Sequence, residues 1–145
     1  MNHKVKSYIL LMRLNSPIGS MLLLYPCLWG LISASSSIEE ILQNIFLFII
    51  FILGAFIMRS AGCVINDIFD RNIDNQVDRT KSRPLADKSI SLHESIVIFI
   101  TLSLMGLCIL LSLNTLSIKV GLLSFILLII YPLTKRITYW PQLFL

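Results

Sequence analysis

A row of acidic residues follows the second apolar stretch of the chain. Four aspartates recur at intervals of three or four residues, with an asparagine directly before them: Asn66, Asp67, Asp70, Asp74 and Asp78. An α-helix turns by about 100° per residue, so the last three aspartates would lie at about −60°, −20° and +20° from the first. If the helix continues to Asp78, four carboxylates share one stripe, and Asn66 flanks it one turn before Asp70.

Carboxylates massed on one helical face point to a divalent cation. Each like-charged pair costs a few tenths of a kcal/mol, so we expect a partner that offsets the repulsion. Mg²⁺ prefers oxygen ligands and is often shared between one or two carboxylates and a substrate phosphate. Basic side chains, which bind phosphate oxygens, follow directly at Arg79, Lys81 and Arg83. The pattern indicates a metal-bridged diphosphate whose tail lies in lipid.

Three other interpretations of this segment compete with the metal-bridged diphosphate. A solvated charged loop would explain the charge but not its one-sided spacing. A calcium loop of the EF-hand type requires Gly at its sixth position and Glu at its twelfth, where this chain has Asn75 and Lys81. The basic residues also mark the cytoplasmic side of a membrane protein, and that role does not exclude phosphate binding.

Composition indicates the class of protein. Apolar residues make up 56% of the 145 residues and charged residues only 14%, whereas soluble globular chains carry about 25% charged residues. A chain this apolar lacks the polar surface to cover itself in water. Composition therefore excludes a disordered protein, a collagen-like fibre and an ordinary soluble enzyme, and favours an integral membrane protein. We expect no nucleic-acid partner from the net charge of +4, because its distribution follows the membrane spans.

Four apolar stretches divide the chain, and each is long enough to cross a bilayer, which takes roughly 17–25 residues. We expect helices, because an open strand would leave backbone groups unpaired in lipid. The prediction is one all-α domain, a bundle of four transmembrane helices, in which Ser16 caps the first helix and Pro17 begins it. We interpret the first stretch as a retained helix rather than a signal peptide, because three more spans follow it. The predicted spans are residues 17–33, 41–65, 95–113 and 117–133, and residues 66–94 form a cytoplasmic segment.

The distribution of Lys and Arg predicts the orientation. Ten of the twelve basic residues lie in the N-terminal, central and C-terminal segments, and the loop between the first two spans has none. The positive-inside rule then puts both termini and the central segment in the cytoplasm. A bacterial inner membrane fits this pattern, and a mitochondrial one stays open. Arg59 lies inside the second span, and a charge within the membrane predicts a functional role.

At three places the sequence is similar to one known family. The run from Arg59 to Ala86 contains N-D-x-x-D-x-x-x-D and then R-T-x-x-R-P-L, and it closely resembles the first aspartate-rich region of the UbiA family of intramembrane aromatic prenyltransferases. The stretches that begin at Arg13 (RLNSPIGSMLLLYPCLWGL) and Tyr131 (YPLTKRITYWPQLFL) resemble the family's opening and the segment that joins its fourth and fifth helices. These details are most similar to the 4-hydroxybenzoate polyprenyltransferases of ubiquinone biosynthesis.

The resemblance implies a reaction. In this family Mg²⁺ held by aspartates binds the diphosphate group of a polyprenyl diphosphate and neutralises negative charge on this leaving group. The allylic C–O bond loosens, and the ring of 4-hydroxybenzoate attacks through the carbon next to its hydroxyl before it loses a proton. A site within lipid suits the apolar tail and keeps water from quenching the cation. The resemblance thus implies prenyl transfer to 4-hydroxybenzoate with Mg²⁺ as cofactor.

The resemblance also implies roles for individual residues. The metal ligands would be Asn66, Asp67, Asp70 and Asp74, of which the three carboxylates are also catalytic, and the diphosphate would be held by Arg79, Lys81 and Arg83. Asp78 lies beyond the signature. Arg136 would pair with the carboxylate of 4-hydroxybenzoate or, alternatively, anchor the topology. Arg59 would face the same cavity or form a structural ion pair.

The sequence covers only part of the family's pattern. Family members are about twice as long and carry a second aspartate motif of D-x-x-x-D type in their later half, whereas this sequence has no aspartate after Asp87. We therefore expect a partner, either a separately encoded second half or further copies of the chain. Two alternatives stay open, namely an inactive truncated remnant and a non-catalytic membrane protein that binds polyprenyl diphosphate.

Overall fold

The computed structural model describes residues 3–134, and every regular element in that range is an α-helix. The predicted all-α class is therefore confirmed. Arg136 and the rest of the predicted C-terminal segment lie outside the described residues. In chain order the helices are α1 (His3–Leu11), α2 (Ile18–Ala34), α3 (Ile38–Gln43), α4 (Ile45–Asp74), α5 (Leu92–Leu111) and α6 (Thr115–Thr134).

Three of these helices have the length and the apolar composition of membrane spans. They are Ile45–Asp74, Leu92–Leu111 and Thr115–Leu133, and α2 is a shorter apolar helix. Many of their large apolar side chains are exposed on the outside of the bundle, where lipid can solvate them. The chain is thus an integral membrane protein with several membrane helices.

The first four residues of the predicted span at residues 41–65 lie outside α4, in the end of α3 and the turn that follows it. Ser37 caps the short helix α3, because its Oγ accepts a hydrogen bond from the amide of Glu40 at 3.2 Å. The chain then turns at Asn44, whose side-chain amide donates to the carbonyl oxygen of Glu40 at 2.9 Å. The long helix α4 begins only after this turn.

The C-terminal end of α4 runs past the predicted end of the span and stops at Asp74. The hydroxyl of Thr80 donates to the carbonyl oxygen of Asp74 at 3.1 Å, so a side chain occupies an acceptor that helix continuation would have used. The prediction that Asp78 belongs to the helical stripe of carboxylates is therefore wrong. The helix carries three aspartates beyond the predicted membrane boundary rather than four.

The N-terminal segment contains a helix that hydropathy did not predict. Its nine residues, α1, carry Leu11, which is fully buried. The chain then passes through a turn into α2, whose N-cap is Pro17 with no side-chain hydrogen bond. The predicted cap at Ser16 is therefore wrong by one position.

Helix α4 lies at the centre of the bundle and contacts all five other helices. At its C-terminal end, a small apolar core joins three segments that are distant in sequence. Leu11 of α1, Val64 of α4 and Ile90 of the central segment are each almost fully buried there. Val64 lies just before the aspartates, so this core fixes the helix turn on which they begin.

The start of α5 is tied to α1 by one carboxylate. Glu94 and Ser91 form a capping box, in which each side chain bonds to the other residue's backbone amide. The same carboxylate accepts hydrogen bonds from Lys4 Nζ at 2.8 Å and from the Tyr8 hydroxyl at 3.1 Å. The bond to Glu94 raises the pKa of Lys4. The cap therefore also fixes the position of α1 beside the central segment.

Removal of the cap should weaken the fold at this junction. We expect Ser91→Ala to lower the free energy of unfolding by about 1 kcal/mol, because the amide of Glu94 loses its acceptor. The measurement is unfolding in mixed detergent micelles. Thr101→Ala is the matched control, since the hydroxyl of Thr101 only bonds a carbonyl within α5. Equal losses in the two variants would contradict a specific role for the cap.

Candidate functional site

Three carboxylates occupy successive turns at the C-terminal end of α4. Asp67, Asp70 and Asp74 are 2%, 8% and 7% exposed, respectively, although they follow the apolar part of the helix directly. Charged carboxylates are almost never buried to this degree without a positive partner. Their burial therefore requires cations from elsewhere in the chain.

The first such cation is Arg83, which belongs to the segment between α4 and α5. Its Nη1 donates to Asp67 Oδ1 at 3.1 Å and to Asp74 Oδ2 at 2.6 Å, so one guanidinium bridges two turns of the helix. The segment folds back on α4 through the bond from Thr80 to Asp74. Leu85, which follows Arg83 closely, is buried and holds the segment in place.

The second cation is Arg13, which the sequence analysis did not connect with the aspartates. Its Nη2 donates to Asp67 at 3.2 Å (Oδ1) and 3.4 Å (Oδ2). Arg13 lies in the turn between α1 and α2 with a φ of 57°, in the left-handed region that favours glycine. The side chain is 37% exposed, so it joins the buried Asp67 to the surface. The only signal in the sequence was its place at the start of a stretch that resembles the UbiA family.

The remaining carboxylate, that of Asp70, has a neutral partner. The side-chain amide of Asn66 donates to Asp70 Oδ2 at 3.2 Å, one helical turn away. This bond places the amide and the carboxylate side by side on α4. The structure therefore brings together Asn66, Asp67, Asp70, Asp74 and Arg83, all of which are predicted site residues.

Other predicted residues lie apart from this group. The side chain of Asp78 is 97% exposed, and its Oδ1 accepts a hydrogen bond from Lys81 at 2.8 Å on the surface. Arg79 is also exposed. Arg59 lies two helical turns before Asn66, deeper in the membrane-spanning part of α4. Arg136 is outside the described residues.

These side chains offer the oxygen ligands that a hard divalent cation prefers. Their negative charge is, however, already compensated in part by arginine. Carboxylate and amide oxygens are the ligands that Mg²⁺ prefers. In the described residues, however, no three or more acidic, histidine or cysteine side chains are arranged to hold a metal ion. The position between Asp67 and Asp74 is taken by the guanidinium of Arg83. The residues thus fit a metal in type, and a metal would have to share or displace the contacts of Arg83.

Comparison with known proteins identifies the family. The profile described as "UbiA prenyltransferase family" matches residues 23–145, which is most of the chain. The chain belongs to the UbiA prenyltransferase family. In this UbiA chain the signature aspartates are the ones that the structure buries on one face of α4.

Relatives of this UbiA chain are bacterial proteins named 4-hydroxybenzoate octaprenyltransferase. The protein from Shewanella oneidensis is 46% identical over 145 residues, which is 100% of this chain and 49% of the relative. The protein from Vibrio campbellii is 46% identical over 142 residues, which is 98% of this chain and 49% of the relative. The chain thus spans about half the length of the curated relatives that it matches. No solved structure matches it.

The role of Arg13 can be separated from the strain of its backbone. Lys88 also has a positive φ, 64°, and its side chain is exposed. We expect Lys88→Gly to raise the free energy of unfolding by up to about 1 kcal/mol, because glycine adopts this conformation without strain. Arg13→Gly gains the same relief but removes a donor from the buried Asp67, which costs about 1–3 kcal/mol.

The two glycine variants are compared by thermal unfolding in the same detergent. The expected result is that Arg13→Gly is clearly less stable than Lys88→Gly. If both variants were stabilised equally, the bond between Arg13 and Asp67 would contribute nothing to the fold.

Proposed function

We propose that this chain supplies the first aspartate site of an enzyme that transfers a polyprenyl group from polyprenyl diphosphate to 4-hydroxybenzoate. The observation that carries the proposal is the buried carboxylate row of Asp67, Asp70 and Asp74, bridged by Arg83, at the end of a membrane-spanning helix. The names of the bacterial relatives support the choice of substrates. A ligand with a charged head and a long apolar tail fits a site at the boundary between polar and apolar surroundings.

Mg²⁺ is the proposed cofactor, and Asn66, Asp67, Asp70 and Asp74 are the proposed ligands. When bound, the ion supplies positive charge that stabilises the departing diphosphate. The burial of the three carboxylates supports the assignment, because a low-dielectric environment strengthens their interaction with a cation. The bond from Asn66 to Asp70 orients two of the ligands before any ion arrives.

The basic residues of the central segment are the proposed diphosphate ligands. Arg83 forms two charged hydrogen bonds with aspartates in this structure, and its guanidinium can bind phosphate oxygens in the same geometry. The side chain of Arg79 is exposed and lies just beyond the aspartate row. Lys81 pairs with Asp78 at the surface, where a salt bridge is weak and exchanges readily for a more highly charged partner.

The proposed reaction is an electrophilic aromatic substitution. The allylic C–O bond breaks, and the diphosphate leaves with the bonding electron pair. The ring carbon next to the hydroxyl of 4-hydroxybenzoate forms the new C–C bond, and the proton on that carbon is then lost. Arg59 and Arg136 are the proposed partners of anionic substrate groups, with Arg136 assigned to the aromatic carboxylate. The surrounding apolar helices exclude water, which would otherwise capture the prenyl cation.

The proposed location is a bacterial inner membrane, with both termini in the cytoplasm. The relatives come from bacteria, and the basic residues cluster in the segments that the positive-inside rule puts in the cytoplasm. The aspartate row then opens to the cytoplasm. We further propose that the partner in catalysis is a separate second half or another copy of the chain.

The proposal is tested by prenyl transfer in membranes of a host that lacks its own enzyme. The chain is expressed alone and together with the part of the Shewanella oneidensis protein that it does not match. Labelled 4-hydroxybenzoate, polyprenyl diphosphate and Mg²⁺ are added. We expect labelled lipid in the co-expressed membranes, and its loss with EDTA. No product in either membrane, with the chain shown to be inserted, would contradict the proposal.

Replacement of a buried and of an exposed carboxylate should show whether transfer depends on the buried site alone. We expect Asp70→Asn to reduce transfer by more than about a hundredfold, since changes in even the outer partners of a metal site cost about 10–100-fold. Asp78→Asn is the matched control, because it makes the same chemical change at a side chain that is 97% exposed. Full turnover in Asp70→Asn, or equal losses in both variants, would contradict the assignment of Asp70 as a metal ligand.

A further inference from the structure

Arg59 is a charged side chain in the membrane-spanning part of α4 whose position needs an explanation. It lies near the middle of the 30-residue helix and is exposed. Within residues 3–134 its guanidinium forms no hydrogen bond or ion pair. A charge at this depth is costly, which makes Arg59 a candidate for contact with a ligand.

The guanidinium of Arg59 lies against helix α2 at Gly19. A Cβ atom built at Gly19 would lie 2.6 Å from Arg59 Nε, 2.8 Å from Nη2 and 2.9 Å from Cζ. These separations are shorter than any ordinary contact of a Cβ atom, so the guanidinium occupies the volume that a side chain at position 19 would fill. The other glycine of α2, Gly30, has no atom within 4 Å of such a Cβ.

Arg59 also lies on the face of α4 that carries the candidate site. It precedes Asn66 by seven residues and Asp70 by eleven, which puts each of these two residues within about 20° of Arg59 around the helix. Along the axis Arg59 lies about 10 Å and about 16 Å below these two residues. Contact with Gly19 therefore determines the position of a positive charge directly below Asn66 and Asp70.

We infer that Gly19 is a positioning residue, which sets where the Arg59 guanidinium meets an anionic group of the ligand. The inference rests on the proposed function, because it takes Arg59 as a substrate-binding residue. A larger side chain at position 19 displaces the guanidinium, which is the mobile end of a flexible chain, and leaves both helix backbones in place. Alanine favours helix more than glycine does, so Gly19→Ala does not weaken α2.

The test is a double-mutant cycle in the prenyl-transfer assay with the co-expressed membranes. We expect Gly19→Ala to lower kcat/KM by about tenfold to about a hundredfold, as small displacements of binding groups do. Arg59→Gln should cause a loss at least as large, and the double variant should be no worse than Arg59→Gln alone. The substrate whose KM rises identifies the anionic group, either the aromatic carboxylate or the diphosphate. Gly30→Ala is the matched control and should change kcat/KM by less than about twofold.

A second measurement is independent of activity. Phenylglyoxal modifies exposed guanidinium groups, and mass spectrometry measures the labelling rate of Arg59 in membranes. We expect faster labelling in Gly19→Ala than in the unchanged protein, because the guanidinium leaves its contact with α2. Gly30→Ala should label at the unchanged rate.

The two measurements distinguish the inference from the proposed function. Equal labelling of Arg59 in Gly19→Ala and the unchanged protein would overturn the inference, whatever the activity. Additive losses in the double variant would also overturn it, since Gly19 would then act by another route. If the unchanged protein showed no transfer, the proposed function would fail, and the labelling rates would still decide whether Gly19 positions Arg59.

Discussion

The burial of three carboxylates on one helical face is the constraint on which the structure around the C-terminal end of α4 depends. Asp67, Asp70 and Asp74 lose most of their water on folding, and each needs a hydrogen-bond donor in its place. Among the hydrogen bonds of residues 3–134, these donors include two guanidinium groups and one amide, from the turn before α2, the segment after α4 and α4 itself. If one partner of such a pair is removed, a buried charge is left uncompensated, which costs more than the pair contributes.

This constraint accounts for parts of the fold that have no other evident purpose. Helix α4 continues past the predicted end of its span, so that its last turns carry the carboxylates, and it ends where Thr80 bonds the carbonyl oxygen of Asp74. The apolar core of Leu11, Val64 and Ile90 brings α1 and the central segment to the same end of α4. Arg13 and Arg83 are attached to those two segments. Packing and charge compensation therefore support the same arrangement. A ligand that bound one of these arginines in place of an aspartate would leave the apolar core intact.

The sequence predicts the features that depend on a fixed helical period or on a long apolar run. Apolar runs predict membrane helices, and the three- and four-residue spacing predicts the carboxylate stripe, because the helix period is constant. The end of α4 was not predictable, since it depends on a hydroxyl six residues further on rather than on a local breaker. Helix α1 and the bond of Arg13 to Asp67 depend on contacts between distant segments, which hydropathy does not contain. Gly19 was missed for the same reason, because its neighbour belongs to another helix.

The most direct test of the buried carboxylate row as a metal–diphosphate site is electron paramagnetic resonance of Mn²⁺. The chain and its co-expressed complement are purified into lipid nanodiscs, and bound Mn²⁺ is measured with and without inorganic diphosphate. We predict that Mn²⁺ binds in the presence of diphosphate with magnetic coupling to phosphorus, and that Asp70→Asn abolishes this signal whereas Asp78→Asn preserves it. A phosphorus-coupled signal that persists in Asp70→Asn, or no bound Mn²⁺ in the unchanged protein, would contradict the account.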